Sequence, residues 1–283
     1  MPLPYFTVVP GRSLVAAVTM AVALAVVAAP AGARKPPAKP ITAKAWVVVD
    51  AAGGRLLAGK RQHRRLPIAS LTKVMTALLV IERGSLDERV TVPPIVTKVE
   101  PLLEGLVPGR RYKRRTLLWS ALLVSANDSA LTLALDTGGG SLRQFYDLMN
   151  ARARRLGMHE TTYASASGLD DWKNRSTALD QAQLARAALR NPTFAQIVST
   201  RKVLTKWAAP TYAKEWVNHN RMLATYPGTY GVKTGWTSKA GGCLAIAVRR
   251  GDRSVVAVIL GSKAIWTDMP RVIEKGFAAL ARG

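Results

Sequence analysis

The sequence predicts an α+β fold in which one antiparallel sheet is built from both ends of the chain, with flanking helices and an inserted all-helical lobe. Three observations predict it. Two apolar runs within residues 45–60 flank Ala51-Ala52-Gly53-Gly54, a hairpin signal. Two more, Cys243 to Arg249 and Ser254 to Leu260, are joined at Arg250-Gly251-Asp252. Between these pairs the apolar residues recur at helical spacing. Strands and helices that are segregated along the chain, rather than alternating, mark an α+β domain.

The elements follow in order. Residues 70–83 (SLTKVMTALLVIER) carry a helical apolar pattern that stops at Gly84. Leu117 to Leu123 and Ser129 to Leu135 read as helices on either side of the polar segment Ser125-Ala126-Asn127-Asp128. Leu142 to Leu156 is a basic amphipathic helix ending at Gly157, and Ala178 to Leu189 is another helix. After the two late strands, a closing helix runs from about Met269 to Ala281.

Before residue 45 the composition changes. Arg12 precedes the uncharged run Leu14 to Ala29, and Ala31-Gly32-Ala33 offers small residues at a cleavage position. That layout predicts a signal peptide over residues 1–33, since the apolar run is shorter than the roughly twenty residues of a spanning helix. Residues 34–44 (RKPPAKPITAK) are Pro-rich and basic, which predicts a disordered arm. Residues 45–283 then form a single domain, with 48% apolar residues overall to fill a core. The expected location is outside the cytoplasm, periplasmic or secreted, with loose membrane association left open.

The net charge is +24, and removing a leader that holds only Arg12 leaves +23. Basic clusters include Lys60-Arg61-Gln62-His63-Arg64-Arg65 and Arg110-Arg111-Tyr112-Lys113-Arg114-Arg115. For an exported chain the available polyanions are acidic wall polymers and the membrane surface, so no nucleic-acid partner is expected. The single cysteine, Cys243, sits in the apolar run CLAIAV and reads as a small buried strand residue. His63, His159 and His219 lack ligand spacing, so neither a metal nor another cofactor is expected.

Three short motifs carry chemistry. In Ser70-Leu71-Thr72-Lys73 the hydroxyl and the amine lie one helical turn apart, so the amine can serve as base to the hydroxyl nucleophile. A lysine does this once burial and neighbours lower its pKa. Ser199-Thr200-Arg201-Lys202 has the same spacing but no helix-start signal. Ser125-Ala126-Asn127 is the only S-x-N in the chain, placed between two helices where its hydroxyl and amide can face a cleft. Lys233-Thr234-Gly235 follows an alternating segment, where an ammonium and a hydroxyl suit a carboxylate and Gly235 lets substrate backbone lie close.

The motifs occur in this order, 55 and then 108 residues apart. The set resembles the penicillin-recognising serine enzymes, whose signature is S-x-x-K, S-x-N and K-T-G. The flanks ASLTKVMTALL, SANDSALTLA, FYDLMNARARRLGM, SGLDDWKNRSTALDQAQLA and GVKTGWTSKAGGCLA narrow the resemblance to low-molecular-mass D-alanyl-D-alanine carboxypeptidases, over about residues 45–280. The resemblance implies a β-lactamase/transpeptidase-like fold and a catalytic domain over 45–283. It also implies a reaction that trims peptidoglycan stem peptides and is blocked covalently by β-lactam antibiotics. In that reading Ser70 is acylated, Lys73 is its base, and Ser125 passes a proton to the departing D-alanine. Asn127, Lys233, Thr234, Gly235 and Trp236 bind substrate, and the backbone N–H groups of Ser70 and Trp236 form the oxyanion hole.

The resemblance departs from its usual pattern in places. Asn218-His219-Asn220 stands where relatives often have Asn-Thr-Asn, and His219 reads as structural. Trp236 occupies a position often held by His or Tyr. Arg271 has the wrong offset for the arginine that grips the substrate in longer relatives, and is left out of the site. Gly168-Leu169-Asp170-Asp171-Trp172 lacks a deacylating glutamate, which disfavours a β-lactamase. Short relatives include D,D-endopeptidases, so carboxypeptidase and endopeptidase remain alternatives; a non-catalytic cationic wall-binding protein would have no need of the Ser70–Lys73 pair.

Overall fold

The computed structural model describes residues 40–169, 171–206 and 213–282. The leader expected over 1–33 and the arm up to residue 39 lie outside the described residues. Residues 40–44 are docked rather than free: Ala43 is buried. Thr42 donates its backbone N–H and its hydroxyl to the carboxylate of Asp268, which also accepts from the Ser262 hydroxyl. A buried carboxylate needs such donors, and the end of the expected arm supplies them.

Strands β1 (Ala45–Asp50) and β2 (Leu56–Lys60) form the predicted N-terminal hairpin. A short strand β3 (Leu66–Pro67) and a 3-10 turn, Ala69–Leu71, lead into helix α1 (Thr72–Glu82). The strand pair β4 (Arg89–Thr91) and β5 (Arg111–Lys113) precedes α2 (Arg114–Leu123), α3 (Asn127–Thr137) and α4 (Leu142–Arg155). Next come β6 (Arg175–Ser176), α5 (Ala178–Leu189) and α6 (Pro192–Ser199). A hairpin of β7 (Lys202–Lys206) and β8 (Ala213–Val217) and the short α7 (Met222–Thr225) follow. The chain closes with β9 (Thr229–Thr237), β10 (Gly241–Arg250), β11 (Arg253–Ser262) and α8 (Ile265–Leu280).

The five-stranded sheet has the order β2-β1-β11-β10-β9 and is antiparallel throughout. It therefore joins the early and the late strands, as expected, with α1 to α7 inserted between β2 and β9; the insertion also holds the strand pairs β3–β6, β4–β5 and β7–β8, so it is not the all-helical lobe expected from the apolar spacing. Side-chain alternation explains its two buried faces. Ala45, Val47, Cys243, Ala245, Val256 and Val258 pack with α1, α2, α5 and α6 in one apolar cluster. Trp46, Val48, Leu244, Ile246, Ala257 and Ile259 pack with Met269, Val272 and Ile273 of α8 in the other. Burial on both faces accounts for the nearly unbroken apolar runs of β10 and β11.

Several bounds differ from the sequence expectation. Helix α8 begins at Ile265, four residues before the expected Met269, and carries Pro270 inside it. Helix α6 and the β7–β8 hairpin were not expected. Their signals are short: Asn191 caps α6 by accepting from the backbone N–H of Phe194, with Pro192 at the first turn. The second S-x-x-K match is dispersed, since Ser199 ends α6 while Lys202 begins β7 and pairs with Glu215 on the surface.

Candidate active site

The nucleophile turn is made by a conformation few residues adopt. Ala69 has φ +48, in the left-handed region, just before Ser70. Two glycines allow this turn to be enclosed. A Cβ on Gly168 would stand 1.9 Å from the Ala69 carbonyl oxygen, and one on Gly235 would stand 2.7 Å from the Ser70 backbone nitrogen. Gly235 was expected to let substrate approach. In the structure it lets β9 close on the nucleophile's own backbone.

Ser70 lies in the 3-10 turn and Lys73 in the first turn of α1, so their side chains are nearly eclipsed. Lys73 Nζ is 2.9 Å from Ser70 Oγ, 2.6 Å from Asn127 Oδ1 and 2.8 Å from the Ser167 carbonyl oxygen. The lysine is fully buried. Burial first, and then the Lys233 charge, hold its pKa well below the usual lysine value, while Asp128 opposes the shift.

The second motif turns between α2 and α3. Ser125 has φ +63 and sits at the edge of the cleft, while Asn127 opens α3. Asn127 spans the site: its Oδ1 accepts from Lys73, and its Nδ2 and backbone N–H donate to the carbonyls of Glu100 and Leu102. Asp128, not singled out from sequence, is buried and holds the same loop. Its carboxylate accepts from the backbone N–H groups of Glu104, Gly105, Leu106 and Ser129. Glu104, buried in that loop, pairs with Lys214 of β8. Desolvation raises the Glu104 pKa and the Lys214 pairing opposes it.

The third motif lies on β9. Lys233 is 2% exposed, donates to the Thr234 carbonyl oxygen at 3.1 Å, and has a pKa pushed down to about 7 by burial. No carboxylate among the described residues forms an ion pair with it. Thr234 and Gly235 line the cleft, and Trp236 stands at its rim, 71% exposed. Asn218 donates to the carbonyls of Val198 and Thr200, and Asn220 donates to that of Gly231. Asn220 is buried, while half-buried Asn218 and its neighbour His219 both line the cleft. The His219 pKa is lowered by burial and then by the charges of Lys233 and Lys73, so the imidazole expected to be structural belongs to the site's surroundings.

These groups meet in a cleft of about 880 Å³ that includes Ser70, Ser125, His219, Thr234 and Trp236. A hydroxyl beside a buried amine of lowered pKa, with a second buried lysine next to cleft-lining Thr234 on β9, suits acyl transfer from a substrate bearing a carboxylate near the attacked carbonyl. Cys243 is fully buried on β10, and burial raises its pKa to about 12, so it is no nucleophile. Sequence reasoning missed the Ser167 carbonyl, which is a backbone group without a side-chain signature, and Asp128, whose only signal was an acid at a helix start.

Comparison with known proteins gives the family and the fold. Residues 31–264 match the family model described as D-alanyl-D-alanine carboxypeptidase. The D-alanyl-D-alanine carboxypeptidase DacB2 of Mycobacterium tuberculosis is 35% identical over 88% of this chain and 86% of its own. A D-alanyl-D-alanine endopeptidase of Escherichia coli is 31% identical over 76% of this chain and 69% of its own. The crystal structure of the Streptomyces K15 DD-transpeptidase superposes with a TM-score of 0.79 at 30% identity, covering 84% of this chain and 98% of that one. The chain belongs to the D-alanyl-D-alanine carboxypeptidase family of serine-type peptidases, with that family's α+β, transpeptidase-like fold.

Proposed function

We propose that the protein removes the terminal D-alanine from peptidoglycan stem pentapeptides through an acyl-enzyme on Ser70. The observation that carries this reading is the Lys73 amine, buried and 2.9 Å from Ser70 Oγ. Two fixed acceptors, Asn127 Oδ1 and the Ser167 carbonyl, take two N–H groups of the neutral amine. That leaves its lone pair directed at the Ser70 hydroxyl.

Lys73 takes the Ser70 proton as Oγ bonds to the carbonyl carbon of the penultimate D-alanine. The carbonyl becomes an oxyanion facing the backbone N–H groups of Ser70 and Trp236, donors worth about 10²–10³ in rate each. When the tetrahedral centre collapses, the C–N bond breaks and the proton passes through the Ser125 hydroxyl to the departing amine. Water then attacks the ester, returns a proton by way of Lys73, and frees the shortened peptide and Ser70. Asn127 flanks the substrate, and Lys233 and Thr234 bind its terminal carboxylate. Trp236 walls the pocket, and Gly235 acts by keeping β9 against the nucleophile turn. A β-lactam enters by the same chemistry and leaves slowly.

Incubation with a synthetic pentapeptide tests the reading: the wild-type chain releases D-alanine, and Ser70→Ala folds but releases none. Full activity in Ser70→Ala would overturn it. Labelled penicillin should give a long-lived adduct, whereas rapid multi-turnover hydrolysis would indicate a β-lactamase instead. The endopeptidase relative favours a second reading, cleavage of cross-links by the same residues. Mass analysis of digested muropeptides separates the two: loss of one alanine marks a carboxypeptidase, and splitting of dimers marks an endopeptidase.

Export to the periplasm or beyond, after removal of residues 1–33, places the enzyme with its substrate. Among the described residues no helix is long and apolar enough to cross a membrane. The basic surface, with exposed Arg61, Arg64, Arg65, Arg110 and Arg111, holds the enzyme near anionic wall polymers or the membrane surface. Retention on such polymers should fall as salt rises, and salt-independent binding would count against this electrostatic role.

A further inference from the structure

A second hollow of about 750 Å³ adjoins the catalytic cleft, and the two share Glu100, Leu169 and Ser238 as a common edge. Its floor includes Ser165 and Ser167, the latter being the residue whose carbonyl accepts from Lys73. Leu131, Ile95 and Tyr146 supply apolar surface, and Lys98 and Lys239 stand on its walls.

The route of a substrate follows from this layout. The cleft that holds Thr234 is also lined by His219, Arg221 and Trp266, none of which lines the second hollow. A peptide attacked by Ser70 with its terminal carboxylate at Lys233 and Thr234 places its departing residue on that side. Its acyl part must leave across the shared edge, and the second hollow is what lies there.

The chemistry of the hollow selects for negative charge on that acyl part. Ser165 and Ser167 are 8% and 7% exposed. Their hydroxyl oxygens accept from the backbone N–H groups of Gly168 and Leu169, and neither hydroxyl donates to any group among the described residues. Lys98 and Lys239 are exposed and form no ion pair among the described residues. Glu100, on the shared edge, is the one carboxylate among the described residues that line the hollow, and the Asp171 charge reaches Tyr146 from outside that lining. Among the described lining residues, two idle hydroxyl donors and two unpaired ammonium groups outnumber one acid.

We propose that this hollow is the subsite for the acyl portion of the stem peptide, and that Lys98 and Lys239 select stems carrying a free carboxylate there. The proposal rests on the DD-peptidase reading and adds the class of stem it prefers. Glu100, at the boundary, keeps that carboxylate away from the scissile bond.

The test compares two substrates that differ only on the acyl side. Bis-acetyl-lysyl-D-alanyl-D-alanine is neutral there, and bis-succinyl-lysyl-D-alanyl-D-alanine carries two carboxylates. At low ionic strength the wild-type enzyme should favour the succinylated peptide by about fivefold in kcat/KM, the order expected of exposed ion pairs. The Lys98→Ala, Lys239→Ala double variant should lose that preference while cleaving the acetylated peptide within about twofold of wild type, and added salt should erase the wild-type preference. A wild-type enzyme without preference, or a double variant slowed equally on both peptides, overturns the proposal. Failure of the wild-type enzyme to cleave even the neutral peptide would overturn the peptidase reading itself, so the two failures are distinguishable.

Discussion

Replacing Lys233 with methionine should stabilise the protein, most strongly at low pH, while abolishing its activity. The ammonium is 2% exposed, pairs with no carboxylate among the described residues, and has one hydrogen bond, to the Thr234 carbonyl. Burial brings its pKa from 10.5 to about 7. At about 1.4 kcal/mol per pH unit, that fall amounts to a folding penalty of about 5 kcal/mol when the group is charged. Because the folded-state pKa is the lower one, the unfolded chain binds more protons between about pH 7 and 10.5, and stability rises with pH across that window. The penalty is full below pH 7 and relieved above it. Lys233→Met removes it, so the variant's advantage over wild type should shrink by about 2–3 kcal/mol between pH 6 and pH 9. Relief of Lys73, whose pKa the Lys233 charge depresses, acts in the same direction. Urea unfolding followed by tryptophan fluorescence at the two pH values measures the difference. An advantage that does not change with pH, or that grows at pH 9, would refute the argument that Lys233 is a buried, strained charge.

The pH profile of kcat/KM should be bell-shaped: the acid limb is protonation of Lys73, and the alkaline limb, near pH 7 in the free enzyme, is loss of the Lys233 proton. Lys233→Arg, charged throughout, should flatten the alkaline limb; an unchanged limb would assign it elsewhere. Gly235→Ala forces a Cβ to within 2.7 Å of the Ser70 nitrogen, so acylation by penicillin should slow by about 10²-fold or more with the fold retained, and an unaffected rate would show that β9 yields there. Cys243, fully buried and with a pKa raised to about 12, should resist iodoacetamide until the chain is unfolded; labelling of the native protein would contradict its placement.

Much of this architecture was legible because its signals are local and periodic. Helices α1, α4 and α5 keep a helical period along their length, β10 and β11 stand out as apolar runs joined by a turn signal, and the structure places all five within a few residues of expectation. Pro270 hid the start of α8, because a proline normally reads as a helix boundary, and packing of Met269, Val272 and Ile273 on the sheet overrides that preference. In β7 exposed and half-buried positions alternate, but Leu204 lies on the exposed side beside half-buried Val203, so the short segment KVLTK shows no apolar alternation in its sequence. In the site, the side chains of all three motifs were named from sequence. The groups that orient them were not: the Ser167 carbonyl and the 100–106 loop reach Lys73, Asn127 and Asp128 through long-range backbone contacts that no residue type encodes.

The two buried lysines are best understood as one device. Burial, and after it the Lys233 charge, lower the pKa of Lys73, and that charge also opposes the moment at which Lys73 must take a proton. A carboxylate arriving at Lys233 cancels that field, so the substrate itself raises the proton affinity of the base as it binds. The base thus has its lower proton affinity while the cleft is empty and is a stronger acceptor once it is filled. By reciprocity, protonating Lys73 must tighten carboxylate binding by the same factor. Titrating lysines labelled at Cε by NMR, with and without a non-hydrolysable peptide ending in a carboxylate, should show the Lys73 pKa move up on binding. The same peptide ending in an amide should leave it where it was. A Lys73 pKa that falls, or that rises equally with both peptides, would separate the two lysines and end the argument.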